Sequence, residues 1–295
     1  MSEATPVVTV DDIDLGQQRG QVLRQLARNP LGLVGGALLL LVVLTAVLAP
    51  LIAPYPPEEV HFDLPFQRAF TDGFLFGTDD LGRDILSRIV YGTRVSLLVG
   101  ALSVLLAVVV GTPLGLLAGY VRWADVVVSR FTDLTLAFPF LIVAVGLAAI
   151  NGPSVYNAAI ALGIAQVPTM VRVVRAETLR VKEREFVLAA RALDASGARI
   201  LGQHVLPNAA SALIVQATVI MPVAVIGEAL LSFLGLGIQP PTPSLGIMLS
   251  DAQQYIFRAP AAAIFPGLTI AVICLGFNLF GDALRDALDP TTRRR

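Results

Sequence analysis

VSLLVGALSVLLAVVVGTPLGLLAGY, residues 95–120, runs for 26 positions without a charged side chain. A helix crosses the hydrocarbon core of a bilayer with about 20 predominantly apolar residues, so this run is long enough to span. Gly111, Gly115 and Gly119 recur in it at a spacing of four, with Gly100 further back. Small residues at that interval let a second helix approach closely. The spacing predicts a packing face, with a pore wall as the alternative use.

The rest of the chain repeats the pattern. Of 295 residues 55% are apolar and 15% charged, against about a quarter charged in a soluble domain. Leu31 to Ala53 forms a first apolar run, bounded by Pro50 and Pro54. A cleaved signal is the alternative, but the preceding tail is long and holds Asp11, Asp12 and Asp14, where a signal needs a short basic leader. Further spans are expected over 126–150, with Pro139 as a kink, over 155–174, over 209–236, with Pro222 near its middle, and over 262–282. Six spans put both termini on one side. Segments on that side hold sixteen basic residues, among them Arg122, Arg175, Arg191 and Arg285, against five outside: Arg68, Arg83, Arg88, Arg94 and Arg258. Because cytoplasmic loops carry the excess of Lys and Arg, both termini are expected in the cytoplasm.

The organisation is then a cytoplasmic tail 1–30, a first transmembrane helix 31–53, an outer loop 54–94, a five-helix core 95–282 and a cytoplasmic tail 283–295. Within the core, a cytoplasmic loop occupies 175–208 and an outer loop 237–261, whose QPPTPS favours polyproline-like backbone. No internal repeat is evident.

The same composition excludes several functions. A net charge of −1 gives no broad attraction for nucleic acid. Cys274 alone, with His61 and His204, leaves no disulfide framework and little for a metal. A phosphate-binding P-loop needs Gly-Lys-Ser/Thr, and the one lysine, Lys182, precedes Glu183. Any ATP hydrolysis must come from a partner. No HExxH or GxSxG supports an intramembrane enzyme. A self-contained secondary transporter would need its own ion-coupling groups, for which Glu228 is the thin basis.

Glu228 lies in the outer half of the fifth span, where a mid-bilayer carboxylate costs about 2.5–3.5 kcal/mol, so it should face protein or water. Either it lines a pathway and meets a solute amine, with Ser232 and Phe233 as companions at a gate, or a neighbouring span holds it. Asp133 and Arg130 are spaced for an i,i+3 pair, and Cys274 for apolar packing. Thr78, Asp79, Asp80, Arg83 and Asp84 superficially suggest a calcium loop but lack its spacing and distal glutamate. A turn at Gly82 followed by a helix capped by Asp84 is expected instead, as an outer gate or partner contact, together with Pro240 and Pro241.

The cytoplasmic loop reads ETLRVKEREFVLAARALDASGARILGQHVLPN, residues 177–208. Phe186, Ala189, Ala190 and Leu193 make one face of a short helix, with Arg191 beside it. Asp194, Ser196 and Gly197 should end it, and Pro207 can open the next. The helix would lie across the cytoplasmic mouth. Lipid is one resting place for that face, although lipid-seeking helices carry bulkier apolar residues and lysine. An alanine-rich face suits a protein groove.

This loop resembles the EAA loop of permease subunits in ATP-binding-cassette importers. Ala189, Ala190, Leu206 and Pro207 match that pattern, while Leu188 stands at its glutamate and Asp194 at its glycine. FGTDDLGRDILSRIVYGTRVSL, residues 76–97, and GEALLSFLGLGIQPPTPSLGIMLSDAQQYI, residues 227–256, resemble the C-type permease of dipeptide, oligopeptide and nickel importers, with Leu245 where that family often has tryptophan. The resemblance covers about residues 30–290. It implies an all-α, six-span permease of the type I importer fold in the cytoplasmic membrane of a prokaryote. It also implies a second homologous permease, two ATPase subunits that bind ATP and Mg, and an extracytoplasmic solute-binding protein. No cofactor is expected on this chain. Phe186, Ala189, Ala190, Arg191, Leu193, Asp194 and Gly197 would contact an ATPase. The solute would be a short peptide, or otherwise nickel, glutathione or another small solute.

Overall fold

The computed structural model describes residues 25–26, 28–71 and 73–288. The expected tails over 1–24 and 289–295, with Arg19, Arg24 and Arg293–Arg295, lie outside the described residues.

Several of the helices begin at a side-chain cap. Asn29 accepts hydrogen bonds from the Leu31 and Gly32 amides and starts α1, Pro30–Val47, with Pro30 at a first-turn position that needs no amide. Asp84 caps the Ser87 amide at 2.8 Å and starts α2, Ile85–Tyr120. This helix begins ten residues before the apolar run. It then turns back through α3, Arg122–Ala137, and α4, Phe140–Asn151. Ser154 caps α5, Val155–Val181. The short α6, Glu185–Ala192, follows. Helical backbone resumes at Gly197, passes through a π segment, Ile200–Val205, and continues as α7, Leu206–Phe233, so Pro207 lies within a helical run already under way. Ser244 caps α8, Leu245–Ala252, and α9 is Ala261–Leu288. The expected fifth span, 209–236, therefore ends earlier, because Gly235 turns the chain at φ +74. Between Gln239 and Ser244 the expected polyproline run is interrupted by a cis Pro240–Pro241 peptide.

The third span is not one kinked helix over 126–150. α3 and α4 meet at an angle of 80°. Phe138 between them is extended, at φ −91 and ψ 124, because the ring of Pro139 crowds the preceding residue out of the α region. Among the described residues, five helices are long and apolar enough to cross a membrane unaided, and the bent pair makes a sixth if it counts as one crossing.

The packing register decides that it does. A Cβ added to Gly111, Gly115 or Gly119 would fall within 2.8, 2.6 and 2.4 Å of Met170, Val174 and Thr178 in turn. The Ser103 hydroxyl reaches the Ala159 carbonyl at 3.1 Å. Residue numbers rise together on α2 and α5, so the two helices are parallel. Two parallel neighbours need a crossing between them, and only α3 with α4 can supply it. The other registers alternate. Gly100 packs on Met221 and Val225 while Ser96 bonds Glu228, so α7 is antiparallel to α2. Gly32 meets Ala283 and Gly276 meets Leu38, so α1 is antiparallel to α9.

The bundle therefore has two ends. Pro30, Tyr120, the 181–206 loop and Leu288 share the one we call the coupling end. Residues 48–84 and 234–260 share the other, the clasp end. Four apolar clusters step down α2 between them. The first centres on Ile85 and Ile89, the second on Val99, the third on Ala107, and the last takes in Leu116 and Tyr120 around Val187. Outward faces keep large apolar side chains exposed, Leu40, Val109, Phe131 and Leu268 among them, as a surface bathed in hydrocarbon requires.

Candidate functional site

At the coupling end, α6 has one buried side chain. Val187 is fully buried against Val181, Ile200 and Val205. Phe186, Ala189, Leu193 and Arg191 are exposed, and Ala190 is half-buried, so the subunit leaves the expected face uncovered. The burial of Val187 was not read from the sequence, although it is the apolar residue between two exposed neighbours. Asp194 ends the helix at φ +55, with its amide bonded to the Arg191 carbonyl at 3.0 Å. That left-handed position suits glycine, and aspartate is among the few other residues that adopt it. Ser196 then caps the turn that begins at Gly197.

Three contacts tie this loop to the end of α2. Lys182 Nζ donates to the Gly119 carbonyl at 2.9 Å, a cation on a helix C-terminus. The Arg191 guanidinium lies 5.2 Å from the centre of the Tyr120 ring, in cation–π range. Gly197 backs onto that ring so closely that a Cβ would sit 3.1 Å from it. Nearby, Arg175 holds Asp125 bidentately at 2.5 and 2.8 Å, which joins α5 to α3. Asp133 pairs with Arg172 at 3.3 Å, and not with Arg130 as its spacing suggested, because α5 places a guanidinium nearer.

At the clasp end, the residues expected to touch a partner divide between interior and surface. Thr78, Asp79 and Asp84 are buried. The Thr78 hydroxyl donates to the Leu64 carbonyl at 2.6 Å and accepts from the Gln67 amide at 2.9 Å. Asp79 accepts from the Leu81 and Arg83 amides, from Arg83 Nε at 2.7 Å, and from Arg88. Arg83 and Arg88 also face Asp251 on α8, at 3.7 and 3.8 Å. The segment is thus a clasp that ties the outer loop, α2 and α8 together. Burial holds the Asp251 carboxyl above the usual aspartate range, against the pull of Arg88 and Arg83. Burial also raises the Tyr255 phenol, helped by the Asp80, Asp79 and Asp251 charges. Gly82 makes the expected turn at φ +76, and a Cβ there would meet the His61 carbonyl oxygen. Asp80, Pro240 and Pro241 are the exposed members of the set.

Glu228 sits between the two ends and touches no solvent. Ser96 of α2 donates to it at 2.5 Å and Ser232 at 2.8 Å. Ser232 also accepts from the Ile238 amide at 3.2 Å. A neighbouring span, through Ser96, holds the Glu228 carboxyl group. Phe233 is half-buried, and its carbonyl accepts from Ser250 at 3.0 Å. Cys274 is half-buried, its sulfur 4.0 Å from the Pro222 carbonyl.

Comparison with known proteins places the chain in a family. Residues 111–294 match the family of binding-protein-dependent transport system inner membrane components, and residues 17–69 match the N-terminal TM domain of oligopeptide transport permease C. The chain is 45% identical over 271 residues to the dipeptide transport system permease protein DppC of Alkalihalophilus pseudofirmus, covering 92% of this chain and 89% of that protein. It is 41% identical over 269 residues to the glutathione transport system permease protein GsiD of Pectobacterium atrosepticum, covering 90% and 89%. The inward-facing MetNI methionine ABC transporter superposes at a TM-score of 0.57 and 22% identity, covering 68% of this chain and 96% of the matched chain, which shows a shared fold.

Proposed function

The chain belongs to the binding-protein-dependent transport system inner membrane components, and from that membership we propose that it forms half of a dipeptide pathway driven by ATP. As a permease of such an importer it is a noncatalytic, multi-pass subunit of the bacterial inner membrane. ATPase and binding-protein partners follow from the family. The finer reading is one second permease, two ATPase subunits that hold ATP and Mg, and both termini in the cytoplasm. The arginine-rich coupling end supports that orientation.

The observation that carries the reading is α6, anchored inward by the buried Val187 and by Arg191 on the Tyr120 ring, with Ala189 exposed. A short helix of this kind can sit in an ATPase groove. ATP can favour one of two arrangements only through contacts that differ between them. Closure of the ATPases would press on α6, and the ties to Gly119 and Tyr120 would pass the displacement to α2.

The dipeptide assignment draws on the DppC relative. Glutathione is the second reading, favoured by the GsiD relative. The test is purification of the tagged chain in mild detergent with whatever accompanies it, then reconstitution. Recovery of a second permease and P-loop ATPases, with ATP-dependent uptake of dialanine, is the expected result. A lone chain that transports without ATP would overturn it, and preferential uptake of glutathione would select the second reading.

A further inference from the structure

Along α5, Gln166, Thr169, Val173, Glu177 and Arg180 recur at three- and four-residue intervals and so share a face. It is distinct from the face that Met170, Val174 and Thr178 press onto α2. Near the coupling end it opens on a cavity of about 430 Å³ between α5, α7 and α9. Glu177 and Arg180 line it from α5, Asn208, Ser211 and Gln216 from α7, and Arg285 from α9. The volume is that of a small-molecule site.

Val173, Ala212, Val215, Val219 and Leu288 supply the apolar part of the lining, so the cavity has the make-up of a ligand site, a mostly apolar wall with a few placed polar groups. The chemistry of those groups is two-signed. Both hydrogen bonds from Arg180 go to Glu177 Oε2, at 2.9 and 2.7 Å, which leaves Oε1 open to a second cation. Arg285 approaches from the opposite wall, on α9, and is exposed. Glu228, the one carboxylate the sequence offered for a pathway, is sealed inside the helices by Ser96 and Ser232.

We propose that this cavity is the inner section of the solute pathway, and that it takes a solute bearing one carboxylate and one ammonium group. Arg285 receives the carboxylate and Glu177 Oε1 the ammonium. Gln166 and Thr169 continue the polar face toward the middle of the bundle. The inference rests on the importer reading and places its solute on named residues. A dipeptide with free ends has both charges. A peptide blocked at both ends has neither.

The experiment uses the whole importer in proteoliposomes, with Cys274→Ser and Gln216→Cys in this chain. A membrane-impermeant thiol reagent is applied at the coupling end, with and without dialanine. Dialanine should slow labelling about tenfold, the worth of one charged hydrogen bond. N-acetyl-dialanine amide should not slow it, and Arg285→Gln should abolish the protection. Equal protection by the blocked peptide overturns the proposal, as does no protection by dialanine. Labelling that depends on anionic lipid and ignores dialanine overturns it too, by giving the cavity to a headgroup. Dialanine uptake is measured on the same vesicles. Uptake without protection removes the cavity assignment and leaves the importer reading standing, whereas loss of both removes both.

Discussion

Glu228 shows how a single carboxylate can be costly and structural together. Its oxygens hold a hydroxyl from α2 and one from its own helix, and Ser232 in turn holds the amide of Ile238 beyond the end of α7. Glu228→Gln keeps a group able to bond both hydroxyls and should melt close to the parent. Glu228→Ala strips both partners and should destabilise the subunit by about 1–3 kcal/mol, measured by thermal denaturation of the purified complex. Equal melting of the two variants would refute the tie. Gly115→Leu should be harsher, since even a Cβ would lie 2.6 Å from Val174. Overpacked cores lose about 1–3 kcal/mol or more, and the reduced yield of folded complex would report it. The glycine spacing announced that contact within a single stretch of sequence. Glu228 was half legible: its need for a partner was plain, but Ser96 lies 132 residues away, and no local pattern names it.

The coupling loop is held to α2 from both flanks of α6, by Lys182 before it and by Arg191 and Gly197 against Tyr120. Tyr120→Leu with Lys182→Met should leave the complex assembled and its ATPase running while peptide uptake falls several-fold. Measuring hydrolysis and uptake on the same vesicles separates this from simple instability, which lowers both. Ala190→Arg should give the same split by spoiling the exposed face, and normal uptake by that variant would count against coupling through α6. Helix existence was legible here because its signals are local, as was the stop at Asp194. The helix start at Asp84 was legible too, but not that this helix runs on unbroken into the apolar stretch at 95. Arg88 lies in the joining turns, and its charge is met by Asp79 and by Asp251 from a distant segment. Pro139 announced a bend, but the sharpness of the 80° turn depends on how α3 and α4 pack.

Alternating crossings give the bundle two chemically unlike ends, one rich in arginine and one stapled by the Asp79–Arg88 clasp. On a Cys274→Ser background, Ala198→Cys should react only from the cytoplasmic side and Glu58→Cys only from the other. Labelling of whole cells against inverted vesicles checks this, and the reverse pattern would invert the proposed orientation. The crossing count followed from apolar length and was readable early. That α2 and α5 are parallel neighbours was not, because it rests on which helices choose one another after insertion.

That pairing has a consequence for how the chain is made. The glycine face of α2 is synthesised first, and its mate, α5, is completed only with Val181. The roughly sixty intervening residues take about 3–12 s at about 5–20 residues per second. Throughout that delay Gly111, Gly115 and Gly119 present a bare groove to lipid or to the insertion machinery. A nascent chain stalled between Tyr120 and Val181 carries a half-finished contact that any small-residue helix nearby could borrow. Biogenesis of this subunit is therefore most exposed to mispairing in the interval when the bent third crossing is being threaded back through the bilayer.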